Sequence, residues 1–116
     1  MYKVSGNAIS LTRGDSFYSV LSMKKNGLTY TPVEGDVIRF ALKSAEMNKS
    51  GTDYKETEPL ILKTIPNDTL MLYLAPSDTK TLPFGRYVYD IQITFANGDI
   101  DTFIAEVPFT LTREVY

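Results

Sequence analysis

The stretch that decides the fold runs Arg86-Tyr-Val-Tyr-Asp-Ile-Gln-Ile-Thr-Phe95 and continues as Ala96-Asn97-Gly98-Asp99. Tyrosine, isoleucine or phenylalanine holds every odd position from 87 to 95, and Asp90, Gln92 and Thr94 lie between them. This alternation predicts a β-strand with one buried face. The Asn-Gly pair that follows predicts a hairpin turn.

The loop of this hairpin decides which face the next strand buries. That strand contains one apolar row, made of Phe103, Ala105, Val107, Phe109 and Leu111. A two-residue loop would place the two apolar rows on opposite faces, because a one-residue slip exchanges faces. A three-residue loop, 96–98, instead pairs Ile91 with Phe103, Tyr89 with Ala105 and Tyr87 with Val107, with Gly98 in a left-handed bulge position. We therefore predict the three-residue loop.

The remaining chain shows short apolar runs separated by turn signals. The predicted strands are 7–12, 17–25, 28–30, 36–44, 59–65 and 69–75, with one helical turn after Pro76 and a long loop over 45–58. With the central hairpin this makes about seven or eight strands, which favours an all-β, immunoglobulin-like antiparallel β-sandwich. The chain, 1–116, is expected to be a single domain.

The strand predicted over 17–25 is apolar on both sides. Phe17, Leu21 and Met23 share one face, whereas Tyr18 and Val20 share the other. Such a strand is either central and covered on both faces or lies against a partner.

Composition restricts the possible functions. The 116 residues include no Cys and no His, and the formal net charge of -2 comes without a basic stripe. Neither a thiolate nor an imidazole is therefore present for catalysis or metal binding, and nucleic-acid binding is disfavoured. No phosphate-binding glycine loop or catalytic triad can be assembled, so we expect no enzyme and no cofactor. The N-terminus has no signal-peptide core, and the longest apolar run, 70–75, is too short for a membrane span, so we expect cytoplasmic synthesis without membrane insertion.

Two short motifs have both a functional and a structural interpretation. Arg13-Gly14-Asp15 spells an integrin-type adhesion tripeptide, but Gly and Asp are ordinary turn residues, which favours a turn. Asp99 and Asp101 could bind calcium or flank a glycosidic bond. Solvated charges beside a hairpin tip are the favoured interpretation of this pair.

Two clusters also have alternative interpretations. Asp53, Glu56 and Glu58, beside Lys49 and Lys55, could hold a metal but are expected to form a solvated loop. The eight tyrosines and six phenylalanines could build a sugar-stacking platform. Tyr87 and Tyr89 lie in the inward row, however, where aromatic residues are normally core.

The order of motifs resembles a known class of viral module. The relevant stretches are Ile9 to Asp15, Val37 to Lys43, Pro83 to Ile91, Asn97-Gly98 and Phe109 to Thr112. In this order they resemble the small β-sandwich modules of tailed bacteriophages, in particular the N-terminal domain of baseplate upper proteins and related tail proteins. In that family the domain docks a receptor-binding or fibre component onto the tail, and members often continue into a coiled coil and a distal domain. Because this chain ends at Tyr116, the docking module is the part that the resemblance implies.

The resemblance implies a non-enzymatic phage or prophage structural protein of the virion tail, with other tail or baseplate proteins, or further copies of itself, as partners. The chosen register directs Val88, Ile100 and Ile104 outward, so these three residues are the candidate interface. Scattered aliphatics partly covered by the 45–58 loop are the alternative. A module that binds cell-surface sugar is the second candidate function, and it predicts exposed aromatics around a polar groove.

Overall fold

The computed structural model describes residues 2–5, 7–25, 28–44 and 59–113. In this part of the chain there are ten strands and one short helix. The strands are β1 (Tyr2–Ser5), β2 (Ala8–Thr12), β3 (Phe17–Val20), β4 (Lys24–Lys25), β5 (Leu28–Thr29), β6 (Val37–Ser44), β7 (Ile61–Ile65), β8 (Met71–Leu74), β9 (Gly85–Thr94) and β10 (Ile100–Thr112). The helix, α1, is the single turn Pro76–Thr79. The all-β prediction is confirmed.

Six of the strands form one sheet in the order β1-β2-β10-β9-β6-β7. Neighbouring strands are antiparallel except β10 and β2, which run parallel where Phe109 lies beside Ile9 and Leu111 beside Leu11. The expectation of a purely antiparallel arrangement was therefore wrong. Between β2 and β10 the chain forms strands β6, β7 and β9 of this sheet and, in a second layer, strands β3 and β8. β10 then runs in the same direction as β2.

The inner face of this sheet carries the core. Its side chains alternate along each strand as the period of two requires. The buried members include Ile9, Leu11, Ile38, Phe40, Leu42, Ile61, Ile65, Tyr87, Tyr89, Ile91, Ile93, Phe109 and Leu111. Phe40, Tyr89 and Phe109 form an aromatic centre, with ring centroids 5.3 to 6.5 Å apart. The inward alternation predicted for residues 87–93 is confirmed.

A second, smaller layer covers this core. β3 and β8 pair in an antiparallel two-stranded sheet, and Phe17, Leu72 and Leu74 from it are buried in the same cluster as the large sheet. β4 and β5 form a separate two-stranded ribbon. The strand predicted over 17–25 is thus divided between β3 and β4. The predicted assignment of residues to the two faces agrees with their exposure, since Phe17 and Met23 are buried whereas Tyr18 and Val20 are exposed.

The tip of the central hairpin has the predicted three-residue loop. The Phe95 N–H donates to the Asp99 carbonyl at 2.7 Å, and the Gly98 N–H donates to the Phe95 carbonyl at 2.8 Å. Gly98 has a φ of 97°, a conformation that a residue with a Cβ adopts only with strain. The register therefore starts as predicted, with Ile100 opposite Thr94 and Thr102 opposite Gln92.

Farther along β10 the predicted register was wrong. Ile91 lies opposite Ile104 rather than Phe103, Tyr89 opposite Val107 rather than Ala105, and Tyr87 opposite Phe109 rather than Val107. The register shifts by one residue between Thr102 and Ile104 and again between Ile104 and Val107. β-Bulges bend and twist a strand, and here they allow β10 to pair with β9 along its length and with β2 at its end.

The hairpin tip is anchored by a buried carboxylate that the sequence analysis did not identify. Asp36 is 5% exposed. Its two oxygens accept hydrogen bonds from the Tyr30 hydroxyl at 2.5 Å, the Val33 N–H at 3.0 Å and the Ala96 N–H at 3.0 Å. The Asn67 side-chain amide donates to the Asp36 carbonyl at 2.8 Å. One aspartate thus joins three loops at the same end of the molecule.

The helical turn predicted after Pro76 is confirmed as α1, and it joins the two layers. Asp78 accepts from the Ala75 N–H at 2.7 Å, a short-range contact that closes the turn. Lys63 of β7 lies 3.0 Å from the same carboxylate. The loop predicted over 45–58 lies outside the described residues.

Candidate functional site

The structure does not bring the three candidate interface residues together. Ile100 is 65% exposed, opposite Thr94 near the hairpin tip. Val88 is half-buried opposite Pro108. It lies six residues before Thr94 on β9, which at roughly 3.3 Å per residue places it about 20 Å from the position of Ile100. Ile104 is half-buried and packs against the core. The prediction that Ile104 points outward was wrong, because the first bulge turns it to face Ile91 on the inner side.

An apolar surface does exist, on the outer face of the β3–β8 sheet. It consists of Tyr18, Val20, Met71 and Tyr73, which are 51, 65, 37 and 41% exposed. We call these four residues the outer patch. Tyr18 lies opposite Tyr73 and Val20 opposite Met71, so the patch is two adjacent cross-strand pairs. The inner partners, Phe17, Ser19, Leu72 and Leu74, point the other way, since side chains alternate.

The two tyrosines of the outer patch form a ring pair. Their centroids are 4.7 Å apart and the ring planes are inclined by 32°. The pKa of Tyr18 is raised, first by desolvation and then by the charge and hydroxyl of Tyr73. Tyr18 is therefore uncharged at neutral pH, beside the apolar side chains of Val20 and Met71.

The sequence contained a signal for this patch. Tyr18 and Val20 were recognised as the second apolar side of a strand, for which one explanation was contact with a partner. The other explanation, coverage on both faces by the described part of the chain, does not fit their exposure. Met71 and Tyr73 belong to the apolar run 70–75, whose inward row was predicted from Leu70, Leu72 and Leu74. What the sequence did not supply was the pairing of two segments more than fifty residues apart.

Arg13-Gly14-Asp15 is held as a turn. The Gly14 N–H donates to the buried Thr79 hydroxyl at 3.0 Å, and the Asp15 N–H donates to the Thr12 carbonyl at 3.0 Å. The Arg13 guanidinium lies 4.0 Å from the centre of the Phe84 ring and donates to the Leu82 carbonyl at 3.1 Å. These contacts agree with the interpretation of the tripeptide as a structural turn, because its backbone N–H groups and the Arg13 guanidinium bind other groups of the same domain.

The acidic residues do not form a metal centre in the described part of the chain. Asp99 and Asp101 are exposed. Asp99 is engaged locally, since its N–H donates to the Asn97 side-chain oxygen at 2.9 Å. Within the described ranges no group of three or more potential metal ligands occurs. The cluster of Asp53, Glu56 and Glu58 lies outside those ranges.

The outer face of the large sheet carries a group of polar and charged side chains. Arg39, Lys43, Asp90 and Gln92 line a shallow pocket of about 280 Å³ together with Ala41, Pro59 and Leu62. Burial raises the pKa of Asp90, nearby Lys43 lowers it, and nearby Glu106 raises it again. Among the described residues that line this pocket, none is aromatic. The exposed tyrosines belong to the other layer, so the polar pocket and the aromatic pair are separate features.

The inward tyrosines are core residues, as predicted. Tyr87 and Tyr89 are 6 and 4% exposed. The Tyr87 hydroxyl donates to the Pro83 carbonyl at 2.6 Å, and the Tyr89 hydroxyl donates to the Asn7 carbonyl. Burial is the first cause that raises the pKa of both. Neither ring is available for stacking against a sugar.

Comparisons with known proteins do not assign the chain to a family. No family model matches it, and no match was found among curated proteins or solved structures. In the described ranges, no helix combines the length and the hydropathy needed to cross a membrane.

Proposed function

We propose that the protein is a non-enzymatic structural component of a bacteriophage or prophage tail or baseplate, and that it acts as an assembly or docking module. The observation that carries this proposal is the outer patch, Tyr18, Val20, Met71 and Tyr73, which is apolar, contiguous and exposed. The resemblance of the sequence motifs to phage tail modules supplies the biological setting. The protein would be made in the bacterial cytoplasm and function in the virion, with other tail proteins as partners.

The size of the patch supports protein contact. Aromatic side chains contribute on the order of 150 to 250 Å² each, so two half-exposed tyrosines with Val20 and Met71 leave roughly 350 to 400 Å² of exposed surface, the tyrosine hydroxyls included. Apolar patches of about this size on single domains are often functional. Rings paired across two strands and a β-branched neighbour also lose little side-chain freedom on binding, which suits an interface.

The two-layer arrangement supports a finer description of the fold as an immunoglobulin-like sandwich. The β3–β8 sheet packs its inner side on the same core as the six-stranded sheet, which is how the two sheets of a sandwich share one core. The parallel contact joins the second and third strands of the larger sheet, next to its edge strand β1. Under this proposal, the outer patch is the solvent side of the thinner layer.

A sugar-binding module is the second candidate, and the Tyr18–Tyr73 ring pair is the observation that favours it. Sugar recognition also needs hydrogen-bonding groups beside the aromatic surface. Beside these rings lie Val20 and Met71, whereas the polar pocket of Arg39, Asp90 and Gln92 opens on the other layer. The distribution of these groups favours assembly.

Analysis of tail particles tests the proposal. Particles would be purified from a producing bacterium, and the chain would be quantified by mass spectrometry against the major tail protein. We expect a fixed stoichiometric ratio for the wild-type chain. Val20→Lys should abolish incorporation, whereas Ile100→Lys, at an equally exposed position on a different surface, should not. Particles that lack the wild-type chain, together with NMR shift changes at Tyr18 and Tyr73 on adding bacterial surface glycan, would overturn assembly in favour of sugar binding.

A further inference from the structure

We propose that the occupant of the outer patch is a second copy of this chain, so that the module docks as a two-fold symmetric dimer. This inference rests on the proposed function, because it names the partner of the same surface. The dimer would place two β3–β8 sheets face to face. The two thin layers would become the inner pair of a four-layered assembly.

The order of residues in the patch suits self-association. Tyr18 and Tyr73 form one row across the two strands, and Val20 and Met71 form the next row. A two-fold axis lying in the interface and perpendicular to the strands exchanges these rows. Each tyrosine pair then rests on the Val20 and Met71 of the other copy. Large rings meet smaller aliphatic groups, and the Met71 sulfur lies near aromatic rings, both of which are favourable contacts.

The area available agrees with a small dimer interface. The patch exposes roughly 350 to 400 Å² on each copy. Standard interfaces bury about 800 Å² a side with a spread of about 200 Å². The patch alone covers about half of that area, so we expect a weak dimer with a dissociation constant on the order of 1 to 100 µM.

Charge does not oppose this pairing. None of the four patch residues is a formally charged type at neutral pH, so two identical faces meet without like charges in contact. The formal net charge of -2 per chain is small, and the resulting long-range repulsion between copies is weak. A strongly acidic or basic partner, in contrast, would find no complementary charge on these four residues. The neutral patch therefore requires a neutral partner face, which a second copy supplies.

Sedimentation velocity over a concentration series tests the dimer. We expect the wild-type chain to move from monomer to dimer between roughly 1 µM and 1 mM. Val20→Lys should weaken the association by at least about tenfold, because a charge would be buried without a partner at the centre of the interface. Ile100→Lys is the matched control. Val20 and Ile100 are both 65% exposed and both lie in strands, so Ile100→Lys should leave the dissociation constant unchanged.

A second variant separates loss of association from loss of folding. Met71→Lys alters the same row from the neighbouring strand and should weaken association to a similar degree. Circular dichroism and thermal unfolding should show both lysine variants folded at low concentration. A wild-type chain that stays monomeric throughout the series would overturn the dimer. So would a dimer that both patch variants leave intact.

The dimer and the assembly role fail in different ways. If the wild-type chain is monomeric but enters tail particles, and Val20→Lys does not, the outer patch binds a different tail protein and only the dimer is wrong. If the chain dimerises through the patch but tail particles do not contain it, the dimer stands and the assignment to the tail is wrong.

Discussion

At the scale of single residues, Asp36 makes the clearest contribution to stability. Its carboxylate is the acceptor for three donors from two loops, and it is almost completely buried. Asp36→Ala should lower the free energy of unfolding by at least about 2 kcal/mol, because three hydrogen bonds to one charged acceptor would be lost. Urea unfolding measures this loss. Asp99→Ala, at the exposed hairpin tip, is the control, and equal losses for the two variants would contradict the anchoring role.

Asp90 gives a prediction with a defined pH dependence. Burial raises the pKa of this carboxyl, so the folded state favours its protonated form. Below the ordinary pKa the group is neutral in both states and has no effect. As the pH rises through the raised pKa, the folded chain must carry a charge that is less costly in the unfolded chain, and stability falls.

Asp90→Asn removes that charge. The variant should be more stable than the wild type near about pH 7, with the advantage absent near about pH 3. The gain should stay below about 1 kcal/mol, because the group is partly exposed and Lys43 offsets part of the penalty. Thermal unfolding at the two pH values measures it. A variant less stable than the wild type at neutral pH would show that the contact with Lys43 outweighs burial.

At the scale of elements, the two bulges in β10 change the expected effect of a substitution at Ile104 on stability. On the predicted register this residue faced solvent, and Ile104→Lys would have altered only an interface. In the structure it packs against the core opposite Ile91. Ile104→Lys should therefore reduce stability by roughly 1 to 3 kcal/mol. Ile100→Lys, on the same strand but exposed, should cost less than about 0.5 kcal/mol in the same denaturant experiment, and comparable losses would argue against the bulged register.

The sequence predicted those parts of the fold that depend on local pattern. The alternation from Tyr87 to Phe95 identified β9 and its buried side, and Gly98 identified the loop that joins β9 to β10. The bulges were not predictable in this way. Glu106, whose φ is 45°, lies in the second bulge and is not a residue type that signals a left-handed conformation. The position of a bulge depends on how β10 curves to reach β2, which is a long-range property.

The candidate site was predictable only in part, for the same reason. Tyr18 and Val20 indicated a strand that is apolar on both sides, and this pattern is visible in the local sequence. Their partners Met71 and Tyr73 come from a strand distant in the sequence, and no local signal relates the two strands. The predicted interface of Val88, Ile100 and Ile104 depended on the register of β10, so an error in the register carried over to the site.

At the scale of the whole molecule, the two faces of the domain have different properties. The outer side of the six-stranded sheet carries Arg39, Lys43, Asp90 and Gln92 around a shallow pocket. The outer side of the β3–β8 sheet carries the neutral outer patch. The four-residue outer patch is contiguous and uncharged, and it is therefore the surface better suited to attachment.

Tyrosine-specific chemical labelling tests the central claim, that the outer patch is a protein contact surface. Labelling would be quantified by mass spectrometry for the isolated chain at low concentration and for the chain in tail particles or in concentrated solution. The buried Tyr87 and Tyr89 serve as internal references. We predict that Tyr18 and Tyr73 react in the dilute chain and become protected at least about threefold on assembly, since interface cores exclude water. Equal reactivity of Tyr18 and Tyr73 in the dilute and the assembled states would contradict the account.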